Sequence, residues 1–176
     1  ELNHELQGVV TDCKLELDNV PLLYPNTAVT HALHHDWEVL SRHQTKLEIF
    51  TSGTTGARKA LKKTIANLES EVEEQEEVWG EKLAKSTVYS TVSHQHIYGL
   101  LFKVLWPLSA GRVFQHETFF SPNELVNKMI TDKSACLVSG PAHLKRMPEL
   151  INLSDLSSRC RIIFSSGGPL SAETSS

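Results

Sequence analysis

Residues 47–64, LEIFTSGTTGARKALKKT, constrain the chain more than any other stretch. A short apolar run (Leu47, Ile49, Phe50) meets a loop of Thr51, Ser52, Gly53, Thr54, Thr55 and Gly56, which Lys59 closes. Two glycines three apart let the backbone bend sharply and come close to a ligand. The Thr and Ser hydroxyls and a run of backbone N–H groups supply donors, and Lys59 supplies a point positive charge. These are the parts of a cradle for a polyphosphate. The cradle is not a Walker loop, which needs four residues between its glycines and a Ser or Thr after the Lys. Here Thr54 and Thr55 alone separate Gly53 from Gly56, and Ala60 follows Lys59. The dinucleotide fingerprint G-x-G-x-x-G is absent too.

The run T-S-G-T-T-G-A-R-K resembles the phosphate-binding loop of the AMP-forming adenylating enzymes, which include acyl- and aryl-CoA synthetases, luciferases and carrier-protein adenylation domains. Arg58 stands where that family usually has Pro. Two further segments resemble the family in the expected order. His96-Ile97-Tyr98-Gly99 looks like the H-x-x-G of acyl and aryl members, followed by an apolar helix and a P-L-x-x-G turn at Pro107, Leu108 and Gly111. The resemblance implies that His96 and Gly99 lie at the acyl-substrate pocket. Ser165–Glu173, SSGGPLSAE, resembles the segment whose backbone lies along the adenine, which implies that Gly167, Gly168 and Pro169 pack on the base. A strand-to-helix turn with Pro169 opening a helix is compatible with that role. The three segments span residues 47 to 173.

The rest of the chain reads as alternating strands and helices. Gly8–Val10 and Leu15–Leu17 read as short strands, and Asn19 to Asn26 as a loop. Strands are expected at 46–51, Ala60–Thr64, Thr87–Val92, Gly111–Gln115, Ala135–Val138 and Arg161–Ser165. Ile65, Leu68, Val72 and Trp79 follow helical spacing over 65–79, with Glu69, Glu73, Glu76 and Glu77 on an opposite, solvated face. Leu100–Leu105 continues as an apolar helix ending near Pro107. Ser121-Pro122-Asn123-Glu124 is a helix start with Ser as N-cap and Glu returning the cap. Leu125, Val126, Met129 and Ile130 form its apolar stripe, and a short helix is expected over His143–Leu150. Alternation of this kind indicates an α/β fold with a mainly parallel sheet and flanking helices. The resemblance makes it part of the large N-terminal domain of an adenylate-forming enzyme.

Composition narrows the class. The 176 residues suffice for one core, with 40% hydrophobic and 22% charged residues and a net charge of −4. That balance argues against nucleic-acid binding and against an anionic membrane surface. No apolar run is long enough for a membrane span. The start, ELNHELQGVV, lacks both a signal-peptide pattern and an initiator Met, so the chain is expected to begin inside a longer protein. Cys13, Cys136 and Cys160 are odd in number and lack C-x-x-C spacing, which fits reduced cytoplasmic thiols. His31, His34 and His35 share helical spacing and read as a solvated polar face or an accidental cluster rather than a metal site. His94 and His96 share a face if extended, but no third ligand accompanies them, and no metal is assigned.

The implied reaction joins ATP and a carboxylic acid into an acyl-adenylate and pyrophosphate. Positioning and charge stabilisation dominate such a step. Thr51, Ser52, Gly53, Thr54, Thr55, Gly56 and Lys59 are expected to hold the β- and γ-phosphates. Mg²⁺ normally assists, its ligand lying outside these residues. The substrate class expected is a fatty or aryl acid, passed on to a thiol of CoA or of a carrier protein. The family's Y-G-x-T-E segment, ribose-binding Asp and C-terminal domain have no match here. Residues 1–176 therefore read as a single incomplete fragment of the AMP-binding N-terminal domain, inactive alone and prone to self-association through exposed apolar surface. The competing readings are a non-catalytic nucleotide-binding or interaction module and a phosphate-binding hydrolase; for the second, no activated nucleophile is evident.

Overall fold

A computed structural model describes residues 9–11, 13–16, 20–23, 39–51 and 59–175. The chain divides into two compact units, Glu1–Val39 and Leu40–Ser176. In the first, β1 (Val9–Val10) pairs in parallel with β2 (Leu22–Leu23). The second short strand thus falls inside the expected 19–26 loop, while Leu15 and Glu16 form none. Val9 N–H donates to the Pro21 carbonyl at 2.8 Å, so the pairing partner is fixed by backbone rather than by apolar content. The His31, His34 and His35 group lies outside the described residues.

The second unit opens with an antiparallel pair, β3 (Lys46–Thr51) and β4 (Lys59–Thr64), in register from Lys46↔Thr64 to Thr51↔Lys59. β4 runs straight into α1 (Ile65–Leu83). Thr64 makes the junction: its hydroxyl accepts the Asn67 N–H at 3.2 Å, and its own N–H donates to Asn67 Oδ1 at 3.0 Å. This reciprocal cap satisfies two donors that a helix start leaves open. The helix outruns the expected 65–79 by one turn.

Three parallel strands form the main sheet in the order β5-β6-β7: Thr87–Ser90, Ala135–Ser139 and Cys160–Ser165. Side chains alternate between its two faces, as the pleat requires. Tyr89, Ala135 and Leu137 meet Leu125, Val126, Met129, Leu144, Met147 and Leu156 on one face. Those partners come from α4 (Pro122–Met129), α5 (Pro141–Leu150) and α6 (Leu153–Ser157). Val88, Cys136 and Val138 face the other way, onto Leu83, Trp79, Phe102 and Trp106. Coverage on both faces is what an all-parallel sheet demands. It also explains why β6, buried at every position, reads as a continuous apolar run.

The apolar helix begins earlier than expected and is not uniform. It runs through α2 (Ile97–Gly99), a π-helical segment (Leu100–Leu105) and α3 (Trp106–Ser109). Lys103 sits in the π segment, 1% exposed. Its ammonium donates to the carbonyls of His116 (3.1 Å) and Glu117 (2.9 Å) and to the Thr118 hydroxyl (2.9 Å). Burial pulls its pKa down from the usual lysine value. The strand expected at Gly111–Gln115 is reduced to a single parallel bridge, Phe114 with Val88. Its Val113 carbonyl accepts Val88 N–H and its Gln115 N–H donates to the Val88 carbonyl, each at 2.9 Å, while Lys103 binds the chain just beyond, at His116–Thr118.

The acidic face of α1 is only partly solvated. Glu69 pairs with Arg42. Glu76 accepts Trp106 Nε1 at 2.7 Å and both terminal nitrogens of Arg112, at 2.5 and 2.7 Å. Arg112 also donates to the carbonyls of Gly80 and Ala84, each at 3.2 Å, and lies over the Trp106 ring. One arginine therefore caps the end of α1 and fixes the helix against the tryptophan. Arg112 holds the Glu76 carboxyl below the usual range; the Trp106 bond acts in the same direction, against a partial burial effect.

Further boundaries depart from expectation. Ser121 caps α4 by accepting Glu124 N–H at 3.5 Å, but Glu124 returns no bond to it. α5 starts at Pro141, two residues early, and α6 has no counterpart among the expected elements. Pro169 does not open a helix: α7 (Ala172–Ser175) starts after Ser171, whose hydroxyl accepts Thr174 N–H at 3.3 Å. Hydroxyl capping fixes that start, which is why Pro169 misleads.

Candidate functional site

The carboxyl ends of β5 and β7, the two strands flanking β6, lead directly into two of the three singled-out segments. Ligands of open α/β sheets bind outside such carboxyl ends. After β5, Thr91 still pairs through its N–H with Val138 at 3.0 Å, and its hydroxyl meets Ser139 Oγ at 2.8 Å. Both side chains are buried, so β5 and β6 end locked together by a polar pair. The chain then turns at Ser93, where His96 N–H donates to the Ser93 carbonyl at 3.4 Å, and enters α2.

His96 is the N-cap of α2 by backbone, since its carbonyl accepts Leu100 N–H at 2.8 Å. Its side chain caps nothing and is exposed, as is that of His94. Gly99 is buried three residues on. A Cβ there would lie 2.1 Å from the Ser93 carbonyl oxygen and 2.7 Å from its carbon. Only a glycine lets the turn fold back onto the helix and hold the His96 ring outward. The spacing of H-x-x-G thus has a local reason: one residue presents, the other makes room. Between them, the Tyr98 ring meets that of Phe102 at a tilt, 5.0 Å between centroids, with its hydroxyl buried. Burial raises its pKa.

After β7, Ser165 to Pro169 run exposed along the same end of the sheet. Gly167 has φ +94°, the left-handed region that favours glycine, and an added Cβ would meet nothing within 4 Å. A Cβ added at Gly168 would lie 3.9 Å from Pro141 Cγ, and one added at Gly140 would lie 3.4 Å from the Ser166 carbonyl oxygen. The segment therefore lies beside the first turn of α5 with its backbone open to solvent. Such a surface offers peptide faces and carbonyls rather than side chains, which suits a flat heterocycle.

The phosphate-loop residues are placed only at their ends. Thr51 closes β3, Lys59 opens β4, and the two are register partners. Whatever path Ser52, Gly53, Thr54, Thr55 and Gly56 take, it starts and ends on one antiparallel pair; these residues and Arg58 lie outside the described residues. The structure brings His96, Gly99, Gly167, Gly168 and Pro169 to one end of one sheet, with the loop on the separate hairpin. Sequence reasoning missed Thr91, Ser139, Gly140 and Pro141. A signal was present: S-G-P after β6 and S-G-G-P after β7 repeat the same strand-ending chemistry. Among the described residues, no group of three or more His, Cys, Asp or Glu is arranged to hold a metal. The described helices include none long and apolar enough to cross a membrane.

The profile of a family described as AMP-binding enzyme matches residues 4–176. No curated protein matches the chain. Among solved structures, a malonyl-CoA ligase ternary product complex with methylmalonyl-CoA and AMP bound is similar at TM-score 0.76 and 21% identity, over 96% of this chain and 37% of that one. The inhibitor-bound N-terminal domain of FACL13 from Mycobacterium tuberculosis gives 0.70 and 16%, over 88% and 39%. ATP-bound MatB from Rhodopseudomonas palustris gives 0.62 and 22%, over 72% and 25%. At these identities the likeness is one of fold, that of the N-terminal domain of adenylate-forming enzymes. The chain spans between 25% and 39% of the length of these three solved chains.

Proposed function

The chain belongs to the AMP-binding enzyme family, and from that premise we propose that it is the nucleotide-binding part of an ATP-dependent acid ligase. The proposed ligase activates a fatty or aryl carboxylic acid as its acyl-adenylate for transfer to a thiol of CoA or a carrier protein. One observation carries the reading. The H-x-x-G and G-G-P segments leave the carboxyl ends of β5 and β7 and lie at one end of the same sheet. An adenine on Gly167–Pro169 and an acyl group near His96 and Gly99 then sit on neighbouring parts of one surface.

Chemistry assigns the roles. The substrate carboxylate attacks the α-phosphorus and pyrophosphate leaves, with no covalent bond to the protein. The protein's work is to align the two reactants and to stabilise charge on the leaving group. Lys59 and the Thr51–Gly56 amides and hydroxyls bind the β- and γ-phosphates. Lys59 begins β4 directly opposite Thr51, so its backbone is held by the ladder. His96 presents an imidazole to the acid, and Gly167–Pro169 receive the base. Magnesium, when bound, would neutralise phosphate charge. The segments His94–Gly99, Gly140–Pro141 and Ser165–Pro169 contain no carboxylate, so they do not fit the ion.

Titration of the chain with ATP, and separately with a fatty-acyl or aryl sulfamoyl adenosine, tests the proposal. Both are expected to bind. Lys59→Ala should weaken ATP by about tenfold, the loss of one charge-assisted contact. It should leave the sulfamoyl analogue, which lacks β- and γ-phosphates, nearly unchanged. Binding of ATP without the analogue would replace the ligase by a nucleotide-binding module. Failure of both would remove the assignment.

A further inference from the structure

We infer that the opposite, amino end of the parallel sheet carries a second anion site, built for a phosphate dianion or phosphate monoester and separate from the phosphate loop. The observation is a cavity of about 460 Å³ lined by Lys85, Lys133, Arg161, Asp132, Ser134 and the backbone at Ala84. Three cations and one carboxylate face it, a balance of +2 in a chain of net charge −4. None of the three cations makes an ion pair among the described residues. Asp132 is already engaged, accepting the Tyr89 hydroxyl at 2.7 Å.

Arg161 is aimed there by the fold. Ala135 pairs with Cys160 and Cys136 with Ile162, so Arg161 is the extra residue of a register shift. Such bulges redirect a side chain out of the ladder's alternation. Its Nε then donates to Ser134 Oγ at 2.9 Å. Ser134 and Ser86 hydroxyls meet at 2.6 Å, and Ser86 donates to the Leu83 carbonyl at 2.6 Å. Because Ser86 donates onward, Ser134 must be the donor to Ser86, which leaves its oxygen to accept from Arg161. A relay of fixed polarity thus anchors Nε and leaves both terminal nitrogens without partners among the described residues. That is the fork that pairs with two oxygens of one phosphate. The opposite wall is held as firmly. Ala84 has φ +48°, uncommon for a residue with a Cβ, and its carbonyl is pinned by Arg112. The result is a pre-organised fork with two flexible ammonium groups beside it.

Amide shift mapping of the ¹⁵N-labelled chain, titrated with inorganic phosphate and with glycerol phosphate against sodium chloride of matched ionic strength, tests the site. Saturable shifts are expected at 84–86, 132–134 and 161 with either probe, and the tighter probe names the source. They should persist in Lys59→Ala, which separates this site from the loop. Arg161→Gln should weaken them about tenfold. Lys133→Gln, at a side chain without hydrogen-bond or ion-pair partners among the described residues, should weaken them severalfold while leaving the spectrum otherwise unchanged. Shifts that sodium chloride reproduces, that are absent, or that survive Arg161→Gln and Lys133→Gln undiminished would overturn the inference.

Discussion

The two ends of the parallel sheet are built from different materials. At the carboxyl end, the segments His94–Gly99 and Ser165–Pro169 present glycine backbone, hydroxyls and the imidazoles of His94 and His96, with no carboxylate, lysine or arginine among them. At the amino end, the loops into β5 and β6 and the first residues of β7 present Lys85, Lys133 and Arg161 around one cavity. The carboxyl end is shaped by close backbone approach, and the amino end by a hydrogen-bonded relay that fixes one cation. Backbone surfaces select flat, neutral groups by shape, whereas forked cations select oxyanions by charge and geometry. In the proposed ligase the phosphate charge is met by a third element, the β3–β4 hairpin loop. Recognition of base and of phosphate is thus divided between elements.

Substitutions that damage one end alone test this division. The largest effect is expected from Gly99→Ala. A methyl group 2.1 Å from the Ser93 oxygen cannot be accommodated by a side-chain rotation, because the obstacle is backbone. The turn must move or the helix start must unwind. A loss of about 3 kcal/mol or more in denaturant unfolding is expected, as for overpacking at a buried backbone contact. A loss under about 1 kcal/mol would mean that the turn does not close onto Gly99 as tightly as this contact requires. Phosphate shifts at the amino end should survive in whatever fraction remains folded.

Glu76→Gln comes next and probes how α1 is held against Trp106 and Arg112. The lowered carboxyl pKa means that the folded state favours the charged form. Its stabilisation is therefore present above the unfolded carboxylate pKa and lost as pH falls through the lower folded value. At neutral pH the substitution should cost about 1–2 kcal/mol, the low end for charged hydrogen bonds because the Glu76 side chain is 44% exposed. At a pH below the folded value, wild type and variant should converge. A constant difference across that range would assign the effect to packing rather than charge. Gly80 supports the arrangement, since a Cβ there would lie 2.4 Å from Glu76 Oε1.

Local chemistry makes much of the fold legible in the amino-acid sequence. The strands at 46–51 and near 60–64, 135–138 and 161–165 follow from apolar content and punctuation, and they occur within a residue or two. Gly99 is legible as part of a motif, though its reason, the Ser93 carbonyl, is a contact that no periodicity encodes. The π segment is hidden because Lys103 breaks an apolar run that reads equally well as an α-helix. The strand expected at Gly111–Gln115 shrinks to the bridge between Phe114 and Val88, a long-range pairing that local pattern does not encode. Glu76 reads as one of four solvated acids, because its partners Trp106 and Arg112 lie 30 and 36 residues away. The amino-end cavity leaves no sequence signal: Lys85, Lys133 and Arg161 are scattered along the chain, and only parallel strand order gathers the loops that carry them.

Gly167→Ala separates backbone strain from ligand contact. At φ +94° an alanine is strained, but nothing within 4 Å opposes its methyl group. The expected stability loss is about 1 kcal/mol. If the adenine lies on this backbone, the methyl group intervenes, and affinity for the sulfamoyl adenosine should fall by much more than stability does. Equal small losses would place the base elsewhere.

Ser134→Ala should have the smallest effect on folding and is the sharpest test of the amino end. The side chain's two bonds are to Ser86 and Arg161. Arg161 is exposed and can turn to water, and Ser86 keeps its bond to the Leu83 carbonyl. The stability cost should therefore be below about 1 kcal/mol. What is lost is the anchor on Nε, so the guanidinium regains rotamer freedom that phosphate must then remove. Shift mapping should show phosphate weakened severalfold with the same residues responding. Ser134→Thr, which retains the hydroxyl, should restore most of it. Unchanged affinity in the alanine variant would mean that the cations act only as loose charge. The two ends of the sheet would then differ in composition but not in degree of pre-organisation.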